Sequence, residues 1–585
     1  MEMDVVFVLY NSAKWLKRCL SSFLCLKTAP GGLTLIFVDN GSSDETVGLL
    51  NGMKPQMMEA GFSDFIVYRN KRNTGTSRAN NMGASLGKSP FLFFLNIDTE
   101  VYPDTFCELE REIGGSSPKI AVWELRQLPY EHPKFYQPAT KATSWCSTAC
   151  LVIRRNVFEE IGGFDRRIFM YADDVDLSWR VRLAGYRLHY IPKAAVLHHS
   201  YEKGVLVKPF QYAFSLKNNL LLRYKFGSFA DICMGNAKYL SAIVRGGQLG
   251  CRGTLLKNYL LILFQLWPFL FYRTRHSVHG GSFRPQFYGW EYETMRDGAA
   301  YPCARAPGNS PLVSVLIRTY HREDALREAL CSVRNQTYKN LEVIVMEDGE
   351  PQSEKMIRQE FPDLNVRYFA AGKHKGRSFA ANRAMEVARG KYLNFLDDDD
   401  LLFADHVETL AGALEKSGNS VAYATAFEVQ TDTSGGFCKK KESSRSVVYR
   451  QPFNRAKLFY QNYLPIQTVL FRKDAVGSLR FDTGMDALED WDFWMRLALS
   501  HSFEFVDRTT SLYRVPCGRA EGEKRQKKLD QAIRTVREKQ KSYVMQISAK
   551  ELSDNVYELL AVSKFDSLKK RFPLFYRIYK RLIRK

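Results

Sequence analysis

The 585-residue chain has little of what defines several large protein classes. Its 11 cysteines are scattered, and Cys146 and Cys150 have no partner pair at metal-ligand spacing. Neither a zinc module nor a disulfide framework is expected, and reduced, packing cysteines in a cytosolic chain are. No segment is of low complexity. The N-terminus enters the apolar run VVFVLY (5–10) with no basic region and no cleavage site, so no secretory signal is expected. The longest apolar run, NYLLILFQLWPFLFY (258–272), is short and interrupted by Gln265 and Pro268, which argues against a membrane span. Acids are outnumbered, 63 against 84 Lys and Arg, for a net charge of +21. Such a surplus suits nucleic acid or an anionic surface, but no nucleic-acid-binding signature accompanies it and no nucleic acid is expected as a partner.

What is present is duplication. A chain of this length exceeds what one hydrophobic core serves, so two or more domains are expected. The run KYLNFLDDDD (391–400) ends an apolar, strand-like stretch in four carboxylates. Adjacent charges about 4 Å apart repel by roughly 1 kcal/mol even in water, so stability alone does not select them. About 300 residues earlier PFLFFLNIDTEVYPD (90–104) repeats the pattern, with Asp98 and Asp104 matching Asp399 and Asp405. Outward from these anchors VVFVLYNSAKWLKRCLSSF (5–23) matches VSVLIRTYHREDALREALCSV (313–333), and LTLIFVDNGSSDET (33–46) matches LEVIVMEDGEPQSE (341–354). YADDVDLSWRVRLAGY (171–186) likewise matches ALEDWDFWMRLALSHS (487–502). One domain type occurs twice.

In each copy short Val/Ile/Leu/Phe runs alternate with helical patterns. Runs without polar alternation suit strands covered on both faces, hence a mostly parallel, Rossmann-like sheet in an α/β fold. Ligands of such sheets bind at the carboxyl ends of strands. Asn11, Asp39 and Asp98 stand there, and a cation arriving with an anionic ligand would relieve repulsion among the acids.

Five elements recur in order in both copies. They are a Tyr-containing loop (Tyr10, Tyr320), VDNGSSD (38–44) or MEDGE (346–350), an Asn/Gly/Arg-rich helix start, the strand-end aspartate motif, and an acidic pair. In this the chain resembles the family 2 glycosyltransferases of the GT-A fold, over about 1–205 and again about 311–516. The first copy resembles the bacterial rhamnosyltransferase-like branch, through IRRNVFEEIGGFDRRIFMYADDVDLSWRVRLAGYRLHYIPKAAVLHH (153–199). The second resembles the broader branch, through FLDDDDLLFADH (395–406), IQTVLFRKDAV (466–476) and LEDWDFWMRLA (488–498).

The resemblance implies a nucleotide-sugar donor whose diphosphate leaves against a divalent cation, Mg²⁺ or Mn²⁺, held by hard oxygen ligands. Asp98 and Asp399 would be the direct ligands, with Asp397 assisting; the first copy has Asn96 where the shared pattern often has an acid. Asp174 and Asp490 match the catalytic base, and the alternative for each is a helix cap. Their neighbours Asp173 and Glu489 either raise the pKa of the base or contact the acceptor. Asp176 and Asp492 are expected to be structural. Asp39 would contact the nucleotide base, with Glu347 or Asp348 in the second copy. Tyr10, Asn11 and Tyr320 fall in the donor-binding loops. Arg78 and Arg377 either meet phosphate or lie on a solvated helix face. His198 would help to hold metal or diphosphate, and Arg514 stands at the matching place, able to hold diphosphate directly.

The expected organisation is a first transferase domain over 1–205, a helical segment and linker over 206–310, a second transferase domain over 311–518 and a basic helical tail over 519–585. Within the segment, 258–272 reads equally as a packing helix or an interfacial one. The last 17 residues carry eight Lys/Arg and no acid, interleaved with Phe, Leu, Tyr and Ile. That pattern suits an anionic membrane surface, where each basic residue contributes about 1 kcal/mol; a solvated tail is the alternative. The chain is therefore expected to be an enzyme on the cytoplasmic membrane face. It would carry two inverting modules that build a lipid-linked bacterial surface polysaccharide, the first with a deoxythymidine-diphosphate-rhamnose-like donor. The alternatives are one active module beside one that only binds acceptor, or a membrane-docked scaffold with degenerate nucleotide sites.

Overall fold

A computed structural model describes residues 1–199, 209–246, 250–275, 283–298, 304–432, 441–517, 519–550 and 552–556. The chain divides into two compact units, Met1–Ala304 and Arg305–Lys585. The basic run 568–585 lies outside the described residues.

Each unit is built on a nine-stranded sheet. In the first, the hydrogen-bonded order is Asp64–Arg69, Leu33–Asp39, Met3–Leu9, Phe91–Leu95, Cys150–Arg154, Ile120–Leu128, Arg187–His198, Thr99–Val101. In the second it is Val366–Ala370, Leu341–Glu347, Val313–Thr319, Tyr392–Asp397, Val469–Arg472, Val421–Asp432, Phe503–Pro516, Leu401–Leu402. The leading four strands are parallel in the first unit, as their unbroken apolar runs predict. Beyond them the sheet is mixed. Cys150–Arg154 runs antiparallel to both neighbours, because no crossover helix separates it from Ile120–Leu128. A mostly parallel sheet therefore describes one half only.

The mixed half brings each aspartate turn to a distant strand end. Thr99–Val101 pairs antiparallel with the end of Arg187–His198, placing Thr99 opposite His198. The turn that carries Asp98 thus meets a strand end a hundred residues away. In the second unit Leu401 pairs with Leu512. By this register Tyr513 is the counterpart of His198, and Arg514 that of His199, one place from the sequence match.

After its sheet the first unit continues into three helices, Pro209–Phe226, Phe229–Arg245 and Arg252–Arg275. Ser228 and Asp231 cap the middle one reciprocally. Their apolar faces share a core with Trp145, Val175 and Trp179, so the three helices are an extension of the first sheet domain. Lys225, almost fully buried, reaches both Asp165 (2.9 Å) and Asp176. In the second unit Lys539, on the helix Arg519–Gln540, makes the same bridge to Asp482 (2.8 Å) and Asp492 (2.9 Å). Asp176 and Asp492 anchor these appended helices.

Candidate active sites

Both acidic pairs sit at a helix start. Asp173–Leu183 follows Tyr171 and Ala172, both left-handed (φ 67° and 59°), and Glu489–Ala498 follows Leu488 (φ 58°). Non-glycine residues are costly in that region, so the surrounding contacts must hold the turn. In the first unit Asn218, from the extension, does so by donating to the Met170 (2.7 Å) and Tyr171 (2.9 Å) carbonyls.

Burial, and then the Asp173 charge, push the Asp174 carboxyl up to about 7. Burial, and then Glu489, raise Asp490 to about 7 as well. Each also accepts the amide N–H of the next residue, Val175 (2.9 Å) or Trp491 (2.8 Å), but Ala172 and Leu488 hold the N-cap positions and neither helix has a side-chain cap bond. The neighbouring acids are held differently. Asp173 accepts from Thr76 Oγ1 (3.0 Å), whereas Glu489 lies against Arg318 (3.1 Å) and Arg377 (3.6 Å). Thr76 and Arg377 are equivalent, each the first residue of a helix that follows a glycine at positive φ, Gly75 (88°) or Gly376 (94°).

At the first strand end His198 Nδ1 bonds Gln127 Oε1 (2.8 Å), and Nε2 faces Asp98 Oδ1 at 3.4 Å. With the amide oxygen accepting, Nδ1 carries a proton, which leaves Nε2 as the ring nitrogen on the side of the carboxylate. One carboxylate and one such imidazole fit a divalent cation that takes its remaining ligands from a diphosphate. Among the described residues no group of three or more His, Cys, Asp or Glu is arranged as a self-sufficient metal site.

The second strand end is crowded with guanidinium. Arg318 Nε bonds Asp397 (3.0 Å) and, through its other nitrogen, Glu489, so the aspartate motif and the acidic pair form one cluster. Burial favours the neutral form of Asp397, but Arg318, Arg377 and Arg322 together outweigh it and hold the carboxyl below its usual range. Arg322 spans Asp398 (3.1 Å) and Asp399 (2.8 Å), Thr319 donates to Asp398 (2.8 Å), and the Arg514 amide donates to Asp400 (2.9 Å). Asp399, 37% exposed, is the most open of the four; it too fits a cation with few protein ligands.

Asp39 and Glu347 end equivalent strands. Asp39 accepts from the Ser42 amide (3.2 Å) and meets Arg69 (3.3 Å); Glu347 accepts from the Ser353 amide (3.0 Å) and from Tyr368. Asp348 instead binds the amides of Lys375 (2.7 Å) and Gly376 (2.9 Å), which fixes the loop before Arg377. Asn11 staples the first two strand ends by accepting from the Ser43 amide (2.9 Å). Tyr10 and Tyr320 are exposed, and Tyr320 stacks on His374 at 4.4 Å.

Two arginines are placed by their partners. Arg78 donates to the Arg166 carbonyl (3.1 Å) on the exposed side of its helix, the second of the two places open to it, while position 76 faces the acidic pair. Arg514 is buried against Glu328 (2.7 Å), and its Nη1 donates to the Asp399 carbonyl (3.2 Å) beside the aspartate motif. Sequence reasoning also passed over Arg318 and Arg322. Arg318 had a signal, as the one charge inside the apolar strand VSVLIRT. Gln127 had none, since only the strand pairing brings it to His198.

An α/β sheet with an aspartate at a strand end and an acid-led helix in the same unit is of the GT-A type, and it occurs here twice. The glycosyl transferase family 2 model matches residues 4–164 and 314–476, and the chain belongs to that family. Over 211 residues it is 27% identical to the GalNAc(5)-diNAcBac-PP-undecaprenol beta-1,3-glucosyltransferase of Campylobacter jejuni, covering 35% of this chain and 65% of that one. Over 63 residues it is 48% identical to the N-acetylglucosaminyl-diphospho-decaprenol L-rhamnosyltransferase of Mycobacterium tuberculosis, covering 11% of this chain and 20% of that one. A crystal structure of S. aureus TarS 1-349 matches at 18% identity and a TM-score of 0.30, covering 34% of this chain and 60% of that one. The chain thus spans less than two thirds of the length of each of these three.

Proposed function

We propose that the chain is a bifunctional, inverting, metal-dependent glycosyltransferase that adds two sugars to a growing, lipid-linked bacterial surface polysaccharide. The observation that carries this reading is the repeated carboxyl, Asp174 or Asp490, raised to about 7 beside a second acid in each unit. A base with that pKa takes a proton near neutral pH, where general-base catalysis is most effective. In each module the acceptor hydroxyl loses its proton to Asp174 or Asp490 as its oxygen bonds the anomeric carbon. The bond from that carbon to the diphosphate oxygen breaks on the opposite face.

Asp98 with His198 would hold the divalent cation in the first module, and Asp399 with assistance from Asp397 in the second. The cation supplies Lewis-acid stabilisation of the departing diphosphate. Asp39 and Glu347 border the nucleotide base, and Tyr10, Asn11, Tyr320, Asp348 and Arg377 shape the donor pocket. The names of the Campylobacter and Mycobacterium relatives support lipid-diphosphate acceptors, and the latter supports a rhamnose-type donor for one module. Work on such acceptors would be done at the cytoplasmic face of the membrane.

A second reading has one observation in its favour. Arg318 and Arg322 already neutralise the acids of the second module, as expected if that module only binds acceptor. A panel of nucleotide sugars with Asp174→Ala and Asp490→Ala separates the two readings. Loss of a different transfer in each variant supports two active modules. A parent chain with a single transfer, lost in Asp174→Ala and kept in Asp490→Ala, has one active module; a parent with two transfers, both kept in one of these variants, overturns the base assignment there.

A further inference from the structure

Exposed large apolar side chains are not spread evenly over the molecule. Among the described residues they concentrate on the last two helices of the first unit's extension. On Arg252–Arg275 the residues Leu256, Leu260, Phe264, Trp267 and Phe271 are exposed, with Phe264 at 80% and Phe271 at 69%. Their spacing, four, four, three and four, aligns them along one face of the helix. On Phe229–Arg245 the exposed residues Phe229, Met234, Leu240 and Val244 make a second apolar strip. Isolated apolar residues at a surface need no explanation, but five large ones aligned along one helix face mark an interaction site.

We infer that these two helices dock the first unit on an anionic phospholipid surface. Charge identifies the occupant. The helix Arg252–Arg275 has no acidic residue, and exposed Arg252 and Lys257 flank its apolar face, with Arg273 near the far end. Trp267, 61% exposed, is the residue type that favours the headgroup boundary. The helix Phe229–Arg245 carries one acid, Asp231, engaged in its capping box, against Lys238 and Arg245, so the two helices together present a cationic surplus.

The helix lies on the membrane and does not cross it, although Arg252–Thr274 is long and apolar enough for a span by composition. Its other face is spent on the protein. Leu255, Ile262 and Phe269 are buried in the extension's core, and Asn258 donates to the Ala213 carbonyl (3.3 Å). Ala213 belongs to Pro209–Phe226, the helix that holds Asp176 through Lys225 and the Met170–Tyr171 turn through Asn218. The docking face is therefore connected through one packed helix to the turn that presents Asp174. Docking would hold the base of the first module at a set height over the lipid. The purpose given to the surface rests on the proposed transferase activity; its existence does not.

Flotation of the full chain with phosphatidylcholine vesicles doped with phosphatidylglycerol, without donor or acceptor, tests the inference. Phe264→Ser, Trp267→Ser and Phe271→Ser combined should weaken partitioning on the order of a hundredfold, with an unchanged melting temperature. The apolar triple variant should lose partitioning to the same extent when Arg577→Gln, Lys580→Gln and Arg581→Gln are also present in the basic tail, whose charges contribute several-fold each at most. Brominated lipid should quench the parent chain more than Trp267→Phe, a readout that stands even if the triple variant misfolds. The inference fails if quenching is the same in parent and Trp267→Phe, or if the triple variant loses binding only when the tail substitutions are also present. It also fails if the parent self-associates through this face and ignores vesicles. Transfer lost in Asp174→Ala with partitioning intact, or the reverse, separates the failure of one reading from that of the other.

Discussion

The two sheets share a strand order but carry different charge where their acids gather. Asn96, Ile97, Asp98 and Thr99 in the first correspond to four consecutive aspartates, Asp397 to Asp400, in the second. Where the second has Arg318 and Arg322, the first has Val8 and Ser12. Added carboxylates are accompanied by added guanidiniums, because a buried charge without a partner costs several kcal/mol. This explains the DDDD run. Asp397, Asp398 and Asp400 are engaged by Arg318, Thr319 and the Arg514 amide, and Asp399 is left the most open. Most of the run organises the strand end, and one carboxylate of it, Asp399, is left more open (37%) than Asp98 (22%).

That comparison can be broken at several points. The largest effect should come from the bases. Asp174→Asn and Asp490→Asn should each lower one transfer by about 10²–10⁴-fold and spare the other, as read by product analysis with separate donors. Next, Arg318→Met should cost the second unit about 3–5 kcal/mol in denaturant unfolding, since it strands Asp397 and Glu489. Lys225→Met should cost the first unit less, about 1–3 kcal/mol, since Asp165 keeps Arg167 and Asp176 keeps Arg180. Lys539→Met, at a site one quarter exposed, should cost less, about 1 kcal/mol.

The pH dependence sharpens the comparison further. A base must be deprotonated, so both transfers should fall as pH drops through about 7, approaching tenfold per unit. Removing the adjacent negative charge by Asp173→Asn or Glu489→Gln favours the ionised base. The acid limb of the affected module should then move to lower pH. Smallest of all, Arg78→Ala should change either transfer only a few-fold, because its guanidinium meets a backbone carbonyl away from the acids.

The duplicated fold was legible because buried parallel strands must be apolar throughout and their ligands collect at strand ends. Asp98, Asp174, Asp399 and Asp490 could be picked out because each sits where such a run or a helix begins or stops. The pairing partners were not legible. Position 198 belongs to the Asp98 site through antiparallel pairing, and counting along the chain put Arg514 opposite it in place of Tyr513. The equivalence of Lys225 and Lys539 was hidden too. One helix is largely apolar and the other highly charged, and the shared feature is a single lysine aimed at two aspartates.

Periodicity and repetition along the chain were enough for the architecture, its doubling and the residue types of the chemistry, since these depend on local preference and on which faces exclude water. How each acid is neutralised, which strand end faces which turn, and which side of the helix Arg252–Arg275 remains in solvent depended on packing. Electrostatic partners are chosen by distance in space, and residues a hundred or more positions apart carry no mark of that distance until the sheet closes between them.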